Sequence, residues 1–226
     1  KSNFRTFYKK HKKYYTNDLK RVSELLPLKN MQNWLEKEFP IKHNAYKVIF
    51  LLLIGGSHST QKYFGRDSKD NSWFSESVMF ICDASRYDSN KNLTETQKEG
   101  LYSGIVFTEI DHNYVNPISD KYKKEIANSF KSNIWSDEKN GFYNNPQSVF
   151  NEYMTHSVFC IWVAENYDKV ASDYVINERV KMNAERRGFV KFKEFNDEMI
   201  KLKKENPNKT VTELYPQIIE WAKQQS

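Results

Sequence analysis

The order of elements in this chain predicts an α+β fold, with a small group of strands packed on a long helix. Three observations carry that expectation. Two strand-length apolar runs, "AYKVIFLLLIGG" (45–56) and "SESVMFICDAS" (75–85), lie in the first part of the sequence. A long segment with helical signals follows, "LTETQKEGLYSGIVFTEIDHNYV" (93–115). Nearly everything after it has helical patterning. The 226 residues are enough for one domain around a sizeable core. That domain is expected to span 1–226, with N-terminal helices over 1–40, strands and the long helix over 45–117, and a predominantly helical part over 118–226.

Helical periodicity opens the chain. "FRTFYKKHKKYYTNDLKRVSELL" and "MQNWLEKEF" place apolar residues on one face and Lys or Glu on the other, and Pro27 and Pro40 punctuate them. Lys9, Lys10, Lys12 and Lys13 alternate with Tyr8, Tyr14 and Tyr15, which admits a nucleic-acid reading. A solvated face over a tyrosine core stripe is the preferred one. "AYKVIFLLLIGG" reads as a strand buried on both faces, and "GSHSTQKYFGRDSKDNSW" as a polar, loop-like edge. "SESVMFICDAS" is a second buried strand and "SRYDSNKN" a turn. Thr94 caps the long helix, with Gln97 three residues on completing a capping box, and Asn116-Pro117 ends it. "PQSVFNEYMTHSVFCIWVAENY" (146–167) is apolar nearly all round and so is a buried helix. From Asp173 to Gln225 the chain reads as charged amphipathic helices, broken at Gly188 and stopped at Pro207 and Pro216.

Composition excludes several classes. Seven Gly and six Pro exclude a collagen-like or linker-rich chain. Aromatic residues make up 15 % of the chain, so the core can rely on Phe, Tyr and Trp. The net charge of +6 reads as a solvated surface, and with no recognised motif a nucleic-acid partner is not expected. Cys82 and Cys160 lie in apolar runs as buried free thiols, and no C-x-x-C pattern offers a cysteine zinc site. No apolar run reaches the length of a membrane span.

Chemistry concentrates in the two buried helices. "TEIDH" (108–112) matches the zinc-peptidase pattern H-E-x-x-H at Glu109 and His112, with Thr108 in place of the first histidine. In that pattern two imidazoles one turn apart hold zinc, and the glutamate takes a proton from a metal-bound water. Thr108 supplies no imidazole; its hydroxyl is placed to bond the carbonyl one turn earlier. The second helix carries Glu152 and His156, four apart on one face. His112, Glu152 and His156 would together form a three-ligand set open to water, with His156 replacing the imidazole missing at 108. Equally, Glu152 and His156 form an i,i+4 ion pair with no metal.

The chain resembles an uncharacterised bacterial family of zinc-metallopeptidase-like proteins, a domain of unknown function whose helix reads roughly H-E-F-S-H-S-F-V-N-P. Here the stretch is "TEIDHNYVNP": Glu109, His112, Val115, Asn116 and Pro117 match, and Tyr114 replaces Phe. The likeness extends to "NFRTFYKKHKKYY" at the start and "RRGFVKF…TVTELYPQIIEWA" at the end. The resemblance implies a zincin-like fold, in which a small mixed sheet packs on an active-site helix and a second helix bears a glutamate. It puts Glu109 at the general-base position, His112 at a zinc-ligand position and Glu152 at the third-ligand position, while Thr108 departs from the pattern. Its members look exported, which implies an extracytoplasmic location.

Two functions follow. One is a zinc-dependent metallopeptidase acting on a peptide or protein substrate. The other is an inactive pseudo-peptidase that keeps the cleft as a binding module. Thr108, His58 and Tyr114 are candidates for lining that cleft. His58 also reads as a surface-loop histidine, and Tyr114 and Tyr153, possible oxyanion donors, also read as packing residues. Asp111 is a candidate for orienting a ligand histidine. Arg186 and Arg187 read equally well as surface residues.

Overall fold

The computed structural model describes residues 3–51, 54 and 58–225, apart from the side chain of residue 132. It is a mixed α+β protein, mostly helical, with a three-stranded sheet. Helices α1 (Phe4–Lys10), α2 (Lys12–Glu24) and α3 (Leu28–Glu38) come first. Strands β1 (Ala45–Phe50), β2 (Ser59–Arg66) and β3 (Trp73–Ile81) follow. The rest is α4 (Ser85–Asp88), α5 (Glu95–Ser119), α6 (Lys123–Ser129), α7 (Ser132–Trp135), α8 (Pro146–Asn166), α9 (Lys169–Lys181), α10 (Phe192–Glu205) and α11 (Val211–Gln224).

The sheet order is β1-β3-β2. β1 runs parallel to β3, from Ala45 opposite Glu76 to Phe50 opposite Ile81, and β2 runs antiparallel to it, from Ser59 opposite Phe80 to Arg66 opposite Trp73. Among the described residues β3 alone has a neighbour on both sides, which is why its sequence is the more completely buried. The expectation for 45–56 is therefore corrected. β1 ends at Phe50 and is a half-buried edge, and the end of the run, at 52, 53, 55 and 56, lies outside the described residues. The polar stretch after it contains the strand β2, whose alternating exposure is that of an edge. In the β2–β3 turn Asn71 has φ 57, a left-handed conformation that Asn tolerates.

α5 begins as its sequence requires. Gln97 N–H donates to Thr94 Oγ1 (3.2 Å) and Thr94 N–H to Gln97 Oε1 (2.9 Å). Two proline expectations fail. Pro117 lies inside α5 and Pro216 inside α11. Each removes one intrahelical bond, but the turn around it is held by packing. Val115 and Ile118 are buried beside Pro117, and Leu214, Tyr215 and Ile218 beside Pro216. The Tyr215 hydroxyl also donates to the Val115 carbonyl (3.2 Å), tying the two proline-bearing turns together. The segment expected as a turn after β3 forms the single-turn α4.

α8 is the core of the helical part, buried almost continuously from Val149 to Val163 and packed against α5, α6, α9 and α10. Asn145 caps it, accepting from the Ser148 N–H (2.9 Å). α5 supports the sheet: Asn113 Nδ2 donates to Ser77 Oγ on β3 (2.7 Å) and to Thr60 Oγ1 on β2 (3.2 Å). Cys160 is buried and Cys82 half-buried, and both are free. Among the described residues no helix is long and apolar enough to cross a membrane.

Candidate functional site

α5 and α8 cross so that their polar positions meet. His112 Nε2 lies 3.4 Å from Glu152 Oε1, and His156 Nε2 lies 3.7 Å from Glu152 Oε2. The three residues expected to converge do so, in a site whose α8 side chains are almost wholly buried. The ring of His112 is flanked at Nδ1 by Thr155 Oγ1 (3.4 Å) and Asn116 Oδ1 (3.5 Å). Thr108 is turned away from the site: its hydroxyl donates to the Gly104 carbonyl (2.8 Å), as its position on a helix led us to expect.

Two cations join the site: Arg187, which the sequence left equally readable as a surface residue, and Arg179, which it did not single out. Arg187 follows α9 and reaches back into the site. Its Nη2 donates to Glu152 Oε2 (2.7 Å) and to the Tyr143 hydroxyl (3.1 Å). Its Nη1 meets His156 Nε2 and donates to Asn183 Oδ1 (3.2 Å). Arg179 on α9 approaches from the other side, with Nη1 3.3 Å from His156 Nδ1 and its guanidinium over the Phe159 ring, 4.6 Å from the centroid. A neutral imidazole accepts at one nitrogen only, so one of these contacts is a hydrogen bond and the other an approach of two donors. Burial, reinforced by both arginines, holds His156 well below the usual histidine range and therefore neutral.

A signal for Arg179 was present in the sequence. Gly100 and Gly104 stand four apart on α5, facing Val175 and Arg179, four apart on α9. A Cβ at 104 would overlap the Arg179 guanidinium. The G-x-x-x-G spacing is what lets α9 bring this cation so close. For Arg187 the only signal was its place just before Gly188, whose φ of 72 turns the chain.

Two carboxyl groups on α5 complete the site. Burial pushes the half-buried Glu109 up; His112 opposes the shift, Glu152 adds to it and Arg187 opposes it. Asp111 is fully buried, with the Thr155 side chain as its one hydrogen-bonding neighbour among the described residues, and that contact is too weak to offset the burial. Burial, with Glu152 and Glu109 adding repulsion, holds it well above the usual carboxylate range. No hydrogen bond joins it to His112 among the described residues. Burial and the neighbouring Glu152 likewise push the Tyr143 phenol up to about 12.

The other candidates lie elsewhere. Tyr114 is buried against Phe39 and His43, at centroid distances of 5.8 and 5.3 Å. His58 lies beside Cys82, its Nε2 3.9 Å from Sγ. The Tyr153 hydroxyl donates to the Trp135 carbonyl (2.5 Å) and accepts from the Lys191 N–H (3.1 Å), a packing role.

The donor set His112, Glu152 and His156 has the right chemistry for zinc, but the residues around it do not fit the ion. The cation that faces His156 Nε2 and Glu152 Oε2 is Arg187, and a dication on the same two atoms would lie against that guanidinium. No protein-family model, no curated protein sequence and no solved structure matches the chain.

Proposed function

We propose that this chain is a catalytically silent, zincin-like protein that binds extended peptide segments without a metal. One observation carries the proposal: Arg187 bridges Glu152 and His156, so a fixed cation of the chain neutralises the carboxylate that a zinc ion would otherwise hold. Thr108 supports it, since the hydroxyl at the first-ligand position is bonded to the backbone of its own helix. The peptide site proposed is the outer edge of β2, the antiparallel edge strand tied to α5 through Thr60 and Asn113. An extended segment can add its backbone to such an edge.

A second reading, a zinc peptidase with a rearranged ligand set, has one observation in its favour. The separations of 3.4 and 3.7 Å between Glu152 and the two imidazoles are close to the ~3.3 Å between neighbouring ligands of a tetrahedral zinc with bonds of about 2.0–2.1 Å. That reading requires Arg187 to swing away.

Zinc analysis of the purified protein after dialysis separates the two. The proposal expects no stoichiometric zinc, no cleavage of a random-sequence peptide pool, and selective retention of extended members of that pool. Zinc at one equivalent, abolished by His112→Ala and by His156→Ala, would overturn it. Thr108→His is the converse test: if it creates zinc binding absent from the parent, the chain is a degenerate relative of a metal enzyme.

A further inference from the structure

The N-terminal helices carry an apolar face that the described residues leave uncovered. α1 and α2 are nearly continuous, because the His11 N–H bonds the Phe7 carbonyl (3.1 Å) and the Tyr15 N–H the His11 carbonyl (3.2 Å). At about 100° per residue, Phe4, Phe7, Tyr8, Tyr14, Tyr15 and Leu19 project within an arc of roughly 140°. Ring contacts confirm the shared face: Phe4 lies 6.1 Å from Tyr8, and Tyr8 5.0 Å from Tyr15. The same stripe continues into Val22, Leu25 and Leu26, which are buried in the core. Before Val22 it is open, with Phe4 60 % exposed, Phe7 50 %, Tyr14 55 % and Leu19 55 %. The tyrosine core stripe expected from the sequence is thus corrected. The stripe is real, but its first turns, at Phe4 and Phe7, are left open by the described residues.

The opposite face and flanks are basic. Arg5, Lys9, Lys10, Lys12 and Lys13 are all exposed, and no carboxylate occurs between Asn3 and Asn17. We infer that this helical arm lies on an anionic lipid surface. There the aromatic stripe enters the boundary between headgroups and acyl chains, and the flanking cations remain at the headgroups. Charge selects this occupant over the others. A second copy of the arm would bring two sets of five cations together with no acid before Asp18 to pair them. On a nucleic acid the rings would have to stack between separated bases, whereas here they pack on one another in one contiguous stripe, with the cations along its flanks and back. The inference is independent of the α5–α8 site and of the peptide-binding proposal.

The test uses the full chain with phosphatidylcholine vesicles and with vesicles of equimolar phosphatidylcholine and phosphatidylglycerol. Cosedimentation is expected with the anionic vesicles only, weakening as salt rises. Each basic residue near the surface adds about 1 kcal/mol, so Lys9→Ala/Lys12→Ala should weaken binding about 30-fold. Phe4→Ser/Phe7→Ser/Tyr14→Ser should abolish it without lowering the melting temperature, because these side chains are uncovered in the free protein. The inference is overturned by no binding to either vesicle or by equal binding to both. It is also overturned by full retention in the aromatic triple variant, by a dimer that this triple variant dissolves, or by duplex DNA binding in place of vesicle binding.

Discussion

Arg187 Nη2 lies 2.7 Å from Glu152 Oε2, joining a charge just beyond α9 to a carboxylate in the middle of α8. The Glu152 side chain is only 6 % exposed and that of Arg187 28 %. Removing the cation leaves the anion buried with the Tyr143 hydroxyl and the imidazoles of His112 and His156 as its remaining partners. Arg187→Ala is expected to lower unfolding free energy by about 3 kcal/mol, near the lower end for breaking a buried pair. Arg187→Lys should recover less than half of the loss, because an ammonium cannot span Glu152, Tyr143 and Asn183 as the guanidinium fork does. Urea unfolding measures both. A loss under about 1 kcal/mol for the alanine variant would mean that Glu152 is compensated elsewhere.

The two strongest shifts in the site act in opposite directions with pH. Asp111 is held above its unfolded value, so the folded state keeps a proton that the unfolded state releases. Stability therefore falls as pH rises past about 4, the ordinary aspartate value, and keeps falling until the folded Asp111 ionises. His156 is held below its unfolded value, so the unfolded state takes up a proton first, and stability falls as pH drops below about 6.5. Asp111→Asn should raise stability at neutral pH, with a gain that grows from pH ~4 upward. His156→Gln should flatten the loss below pH ~6.5. Unfolding curves across pH 4 to 8 would contradict this assignment if Asp111→Asn were as pH-dependent as the parent.

Gly104 is the position where α9 comes closest to α5 in front of the site. Alanine in a helix ordinarily stabilises by about 0.5–1 kcal/mol relative to glycine. Here the added methyl would overlap the Arg179 guanidinium and crowd the Phe159 ring. Arg179 is half-buried, but its guanidinium lies over the Phe159 ring, so neither neighbour can easily move aside; overpacking wins and a net loss of about 1–3 kcal/mol is expected. Gly141→Ala, where a Cβ meets nothing, is the control and should be near neutral. Equal stability of the Gly104 variant and the parent would show that α9 can shift to make room.

The legible part of the fold was the part where period and burial agree. The Thr94 capping box and the all-round apolar α8 stand where the sequence put them, because each is set by local spacing. The meeting of His112, Glu152 and His156 was legible too, since positions one turn apart on two buried helices define faces. Proline misled at 117 and 216, where tertiary packing outweighs one lost hydrogen bond. The roles of the arginines were not legible: the Gly100/Gly104 spacing marks a close helix approach without naming what fills it, and Arg187 has the same letters whether it faces solvent or reaches Glu152. The zincin-like reading and the zinc it implies rest on the resemblance and await the metal analysis proposed above.

A second buried ion pair fastens the two ends of the chain. Lys203 Nζ on α10 lies 2.8 Å from Glu38 Oε2 at the end of α3, with side chains 9 % and 1 % exposed. The same oxygen accepts from the Val211 N–H at the start of α11 (2.8 Å), and the Glu38 carbonyl accepts from Thr212 Oγ1 (3.1 Å). Lys203→Met removes the cation and leaves the carboxylate buried, so it should lower stability by about 3–5 kcal/mol. Glu38→Gln/Lys203→Met removes both charges yet leaves an oxygen for the Val211 N–H, and should recover most of that loss. Glu38→Leu/Lys203→Met also removes both charges, but it orphans the Val211 N–H and should remain about 1–3 kcal/mol less stable than the glutamine pair. The three-way comparison by urea unfolding separates charge compensation from hydrogen bonding. If the two double variants proved equally stable, the contact with Val211 would contribute nothing, and the pair would hold α3 to α10 through charge alone.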